Sequence, residues 1–156
     1  MRRLLLPLVI LFAASFAACS YSTDFVVVNE SNQPIEVIYR IRRFANEPLA
    51  VDPQPAKISA SQIQTRDRTA WRKLPAAEFQ LNQETRTVTV HVLPNEALAV
   101  TSMFHYIGDS DPNDITNWRL DEITVSGVSG SMTFTGDASR KSFKYVSRVL
   151  YTLTYK

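Results

Sequence analysis

Arg86-Thr-Val-Thr-Val-His-Val-Leu93, then Pro94-Asn95-Glu96, then Ala97-Leu-Ala-Val-Thr-Ser-Met-Phe104, is the stretch that decides the fold class. In the first run Val88, Val90 and Val92 share one face, and Thr87, Thr89 and His91 share the other. That alternation is the signature of a half-buried strand. The return run puts Leu98, Val100 and Phe104 on one face. Pro94-Asn95-Glu96 between them reads as the turn of a β-hairpin.

The pattern continues toward the N-terminus. Ile35, Val37, Tyr39 and Ile41 alternate with Glu36, Ile38, Arg40 and Arg42. Phe25-Val26-Val27-Val28 is a short β-branched run, ended by the turn cluster Asn29-Glu30-Ser31-Asn32-Gln33-Pro34. Arg40, Arg42 and Arg43 read as a solvated strand face rather than an anion site. Residues 44–56 carry Pro48, Pro53 and Pro55 and read as loop. Ala56–Thr65 fits neither period, since Ile58 and Ile63 are five apart, and is taken as a strand. Arg68–Leu74 reads as a short strand around Trp71, stopped by Pro75.

Toward the C-terminus, Gly108–Asn117 is the longest polar stretch of the second half. Trp118 and Leu120 share one parity and Ile123 and Val125 the other, which predicts a β-bulge or a strand that bends between sheets. Gly127-Val128-Ser129-Gly130 is a turn leading to Met132 and Phe134, a second hairpin. Ala138, Phe143 and Val146 predict a short helix over 138–147 with Asp137 as N-cap. Val149, Tyr151, Leu153 and Tyr155 define a last strand with one apolar face. Eight or nine short strands and one minor helix predict an all-β antiparallel sandwich, immunoglobulin-like in topology, with a partly closed barrel as the alternative.

The first 20 residues are of another kind. Met1-Arg2-Arg3 precedes an apolar run from Leu4 to Ala14, then Ser15-Phe16-Ala17-Ala18 and the only cysteine, Cys19. A positive start, a short apolar core and small residues before a cut form a secretory signal. The run falls short of the roughly 20 residues that span a bilayer. Small residues directly before a lone cysteine resemble the lipobox of bacterial lipoproteins, although Phe16 stands where that class prefers Leu. The resemblance covers Met1–Ser20. It implies cleavage before Cys19, lipidation of Cys19, and, from Ser20 in place of Asp, export to the outer membrane. The organisation expected is a signal over 1–18, a lipid-anchored tether over 19–23 and one domain over 24–156. Ser20–Thr23 as free chain would reach roughly 13 Å, at about 3.3–3.6 Å per residue.

Charge narrows the partners. The chain has 17 basic and 15 acidic side chains, and removal of Met1–Ala18 takes away Arg2 and Arg3 and no acid. The mature chain is then neutral, with no electrostatic case for nucleic acid. A single cysteine excludes a disulfide within the chain.

Catalytic patterns do not emerge. Gly127-Val128-Ser129-Gly130-Ser131 starts as a nucleophile elbow does but has Ser131 where glycine is needed, and it lies in a hairpin turn. His91 and His105 lack a cysteine or a nearby acid and make a poor zinc set. Asp121 and Glu122 are adjacent, so on a strand they face opposite ways. Asp109-Ser110-Asp111-Pro112-Asn113-Asp114 spaces oxygens as a calcium loop begins, then departs with Asp114 at the sixth place and Leu120 at the twelfth. No metal site and no cofactor is expected. The acidic loop is nonetheless the most prominent candidate binding surface, with Asp109, Asp111 and Asp114 flanked by Tyr106 and Trp118. Two functions follow as expectations. One is a non-enzymatic, lipid-anchored envelope module that binds a protein partner or supports an assembly at the membrane. The other is a glycan binder stacking sugars on Trp71, Trp118, Tyr39 or Tyr106.

Overall fold

A computed structural model describes residues 20–156, except 46, 49, 64–67, 107–117 and 148. Eleven strands occur among the described residues. They are β1 (Ser20–Asn29), β2 (Ile35–Ile41), β3 (Ala56–Ser59), β4 (Arg72–Lys73), β5 (Gln80–Asn82), β6 (Thr87–Val92), β7 (Glu96–Tyr106), β8 (Leu120–Gly127), β9 (Gly130–Thr135), β10 (Lys144–Ser147) and β11 (Leu150–Tyr155), with one short helix, α1 (Asp137–Lys141). They form two sheets, β10-β11-β1-β7-β3-β4 and β5-β6-β2-β8-β9. The fold is an antiparallel-dominated β-sandwich. β1 and β11 pair in parallel, from Asp24↔Leu150 to Asn29↔Tyr155. The sheets do not close into a barrel, and each keeps two edge strands.

The alternation read from the sequence places the core. Val88, Val90 and Val92 of β6 and Ile35, Val37 and Tyr39 of β2 are buried between the sheets. They meet Phe25, Val27, Leu98 and Leu153 from the six-stranded sheet. β1 is apolar on both faces for a different reason. Val26 and Val28 point outward and pack with Ile58, Ala97 and Leu150 beneath Ala60, Ile63, Ala70 and Trp71. A strand covered on both faces needs no polar alternate. The covering segment has the short strand β3, then 3-10 turns at Ala60–Gln62 and Arg68–Ala70. Ile58 and Ile63 therefore share one apolar cluster although no single period joins them.

The hairpin expected from Arg86 to Phe104 is corrected. β6 belongs to the five-stranded sheet and β7 to the six-stranded one, so Leu93–Asn95 is an arch between layers. Two strands facing each other across a core bury the same alternate residues as two strands side by side, so periodicity cannot separate the cases. The arch is pinned to both layers. Asn95 adopts φ 60°. Its N–H donates to Asn29 O (3.0 Å), and its O accepts from Ala60 N–H (2.8 Å). The register of β7 shifts opposite Phe25/Val26, at Val100, so the inner face passes from Leu98 and Val100 to Met103. The bulge expected in β8 is present at Asp121, where the β2 register shifts between Arg40 and Ile41. The β8–β9 hairpin also forms, with Gly127↔Gly130 closing it.

Near the C-terminus the helix is shorter than expected. Gly136 is the N-cap and Asp137 the first helical residue. After buried Phe143 the chain becomes edge strand β10, which leaves Val146 40% and Tyr145 65% exposed. In β11 it is Leu150 that is buried, on the outer face, whereas Val149 is exposed. The last correction concerns the tether. Ser20–Thr23 are the first four residues of β1 and pair with Met103–Tyr106, from Ser20↔Tyr106 to Thr23↔Met103. β11 joins β1 only from Asp24, and β3 reaches along β7 only to Ala99. Over Ser20–Thr23, β1 therefore pairs with β7 alone among the described strands, with Thr23 and Met103 buried.

Candidate functional site

The residues singled out by sequence do not assemble into one site. Asp109, Asp111 and Asp114 lie outside the described residues, as do Cys19 and the side chain of Tyr106. Trp118 is described, and it is not a platform. It is 1% exposed, edge-on to Phe25 at 4.8 Å between ring centroids. Its Nε1–H donates to Ser139 Oγ at 2.8 Å. That hydroxyl, fully buried in α1, lies 2.7 Å from Gly136 O and 3.2 Å from Leu120 O. Tyr39 is also buried, and Trp71 is half-buried against the outer cluster. His91 is exposed on β6. Among the described residues no three His, Cys, Asp or Glu side chains gather as metal ligands.

The structure instead assembles a charged cluster at the end of the sandwich where β1 begins. Antiparallel pairing brings the end of β2, the start of β6 and the start of β8 to this end. Arg40 pairs with Glu122 (3.5 Å) and Arg42 with Asp121 (3.0 Å), so two of the strand-face arginines are spent on the two adjacent acids. Arg86 enters β6 with φ 57°, a left-handed conformation uncommon for residues other than glycine. Its guanidinium is largely buried, 3.7 Å from Glu47 and 3.4 Å from Arg42 O. Arg86 Nε and Nη1 have no hydrogen-bond partner among the described residues. Arg119 is bonded to the other oxygen of Glu47, and its guanidinium lies over the Phe44 ring at 4.8 Å. The hydrogen bond from Arg119 holds the Glu47 carboxyl below the usual carboxylate range, aided by Phe44 N–H and by the charge of Arg86. One carboxylate thus serves two guanidiniums.

Beside this cluster the sheets part around a pocket of about 260 Å³. Its walls include Ile41, Pro53, Pro55, Ala99, Val100 and Leu120, with Tyr39 in the lining and Arg119 contributing the charge. Burial alone pushes the Tyr39 hydroxyl above the ordinary tyrosine range. Sequence reading missed this region because its members come from four separate stretches. Glu47 and Arg119 are 72 residues apart, and no local pattern links them. No protein-family model matches the chain, and no curated protein or solved structure matches it.

Proposed function

We propose that the chain is a lipid-anchored bacterial envelope protein, held at the outer membrane through Cys19, and that its sandwich is a non-enzymatic module presenting a surface to a protein partner. The observation that carries this reading is the junction between signal and fold. Ser20, the residue after the lipobox cysteine, already lies in β1, and Ser20–Thr23 are paired with β7. A lipid on Cys19 would then be joined to a strand rather than to a leash. Such an anchor suits a module that offers one face at a fixed height and tilt. The glycan alternative loses support, because Trp118 and Tyr39 are spent on the core and Trp71 is half covered. A protein partner has more to meet. Tyr145, Val146 and Val149 are exposed around edge strand β10, and an unpaired strand edge is a ready docking element.

Mass spectrometry of the protein purified from its native membrane tests the anchor. An acylated N-terminal Cys19 is expected, with Cys19→Ala shifting the protein out of the membrane fraction or leaving it uncleaved. An unmodified N-terminus at Cys19 or beyond refutes the reading.

A further inference from the structure

From the pocket beside Arg119 we infer a second, ligand-binding activity: the sandwich takes a small organic monocarboxylate with a short apolar body and a second oxygen. Three observations define that chemistry. Most of the lining is apolar, from Ile41, Pro53, Pro55, Val100 and Leu120. Such walls favour a hydrocarbon body over a sugar or a nucleotide. The volume, about 260 Å³, falls just under the roughly 300–1,000 Å³ of sites for drug-sized ligands, so the occupant is small.

The charge of the site selects an anion. Arg119 lines the pocket, and its carboxylate partner among the described residues, Glu47, is shared with Arg86. Among the described residues, two positive groups against one negative leave one positive charge in excess. Arg86 is poorly placed to spend it on solvent, because its side chain is 11% exposed and two of its nitrogens have no partner among the described residues. A single carboxylate balances this excess, and a guanidinium is the side chain best shaped to receive one. An ammonium group would be repelled.

The third observation is Tyr39. It is 2% exposed as a residue and lines the pocket. Its hydroxyl has no hydrogen-bond partner among the described residues, yet it is not one of the side-chain oxygens sealed from solvent. A ligand oxygen in the pocket would take the place of water on it. Tyr39 sits in the middle of the pairing with both Val88 and Ile123, so its ring is held in place before any ligand arrives.

Titration of ¹⁵N-labelled purified protein with 6-hydroxyhexanoate, hexanoate and 6-aminohexan-1-ol separates the three features. Saturable shifts at Ile41, Ala99–Ser102 and Leu120 are expected with both carboxylates and not with the amine. 6-Hydroxyhexanoate should bind about threefold tighter than hexanoate, and Tyr39→Phe should remove that difference. Arg119→Gln should weaken both carboxylates about tenfold, whereas Arg119→Lys, which keeps the charge, should stay within about threefold. Amide spectra of the variants report whether the fold is intact. No saturable shift with either carboxylate, equal binding of the amine, or carboxylate binding indifferent to Arg119→Gln in a folded protein each overturns the inference.

Discussion

Asn29→Asp is an almost isosteric change at a fully buried position, and the structure allows its cost to be worked out. Asn29 closes β1 with its side chain at 0% exposure. Its amide donates one hydrogen to Gln33 O (2.8 Å) and the other to Val92 O (3.0 Å). Its Oδ1 accepts from Ser31 N–H (3.0 Å) and from the Ser31 hydroxyl (2.7 Å). All four hydrogen-bonding positions of the amide are filled. Its backbone O also holds Asn95 of the arch, so one residue ties the first turn to the crossing between sheets. An ionised aspartate keeps the two accepted bonds and donates nothing. Val92 O then loses this buried donor at about 1–3 kcal/mol, whereas Gln33 O, on an exposed residue, keeps the Ser31 hydroxyl at 2.9 Å; desolvating the new charge adds about as much again. The variant can escape by taking up a proton. That restores one donor but costs about 4 kcal/mol at pH 7 for a carboxyl with an ordinary value of about 3.9.

The ionised route is the cheaper at pH 7 and removes about 4 kcal/mol, a large share of a typical stability of about 5–15 kcal/mol. For a domain of this size the melting temperature should fall by roughly 12–16 °C. The sign of the pH dependence follows. Relative to the unfolded chain, the folded state favours the neutral acid, so the folded-state value of the introduced carboxyl is raised above the unfolded one. The folded variant then binds more protons than the unfolded chain between those two values, and its stability recovers as pH falls through the raised value toward about 4. Melting curves of parent and variant at pH 7, 6, 5 and 4 should show the deficit shrinking toward the about 1–3 kcal/mol of one lost bond. A variant that melts within about 3 °C of the parent at pH 7, or whose deficit does not shrink on acidification, would refute this account of Asn29.

Gly127→Ala is expected to cost about 1–3 kcal/mol by overpacking. Its Cβ would lie 2.9 Å from the ring of Tyr155, which cannot swing away while its hydroxyl holds Gly130 O at 3.0 Å. In a Tyr155→Ala background the same change should cost much less, and a denaturation double-mutant cycle without that coupling would count against the contact. Ser139→Ala strands the indole N–H of Trp118 in the core and should cost about 1–3 kcal/mol by urea denaturation. Trp118→Phe should then add less in that background than alone, since the donor to be satisfied is gone. Equal costs in both backgrounds would show that the Trp118–Ser139 bond is not what couples them.

The sandwich was legible because its strongest signals are local. Period two over Ile35–Ile41 and Thr87–Val92 fixes which residues face inward, and the parity switch between Leu120 and Ile123 locates the bulge at Asp121. What lies between strands was less legible. Leu93–Asn95 reads equally well as a hairpin turn or an arch, because the choice rests on bonds to Asn29 and Ala60, 66 and 35 residues from Asn95. Val149 and Leu150 exchanged roles for a related reason. Val149 has the parity of Leu153, but Leu150 meets the outer cluster that the segment from Ala60 to Trp71 creates. A third layer over one sheet leaves little trace in the periodicity of the strand beneath it.

The site was less legible still, and the cause is chemical. Aromatic and charged residues were weighed by type, and type alone does not say whether a group is already satisfied. Trp118 looked like a platform beside acids. In the structure it is a core residue whose polar atom is answered by Ser139. Arg40 and Arg42 looked like a solvated face and are paired across the bulge. Tyr39 was read both as a core member of β2 and as a stacking platform, and its ring belongs to the core. Only its hydroxyl sets it apart, and that difference appears once the neighbours from β7 and β8 are in place. Capacity to bind therefore resides in what the fold gathers around one pocket: the Arg119 guanidinium, which shares Glu47 with Arg86, and the Tyr39 phenol in the same lining. Both are products of long-range pairing, which is why a chain whose strands could be read in order kept its most reactive corner out of sight.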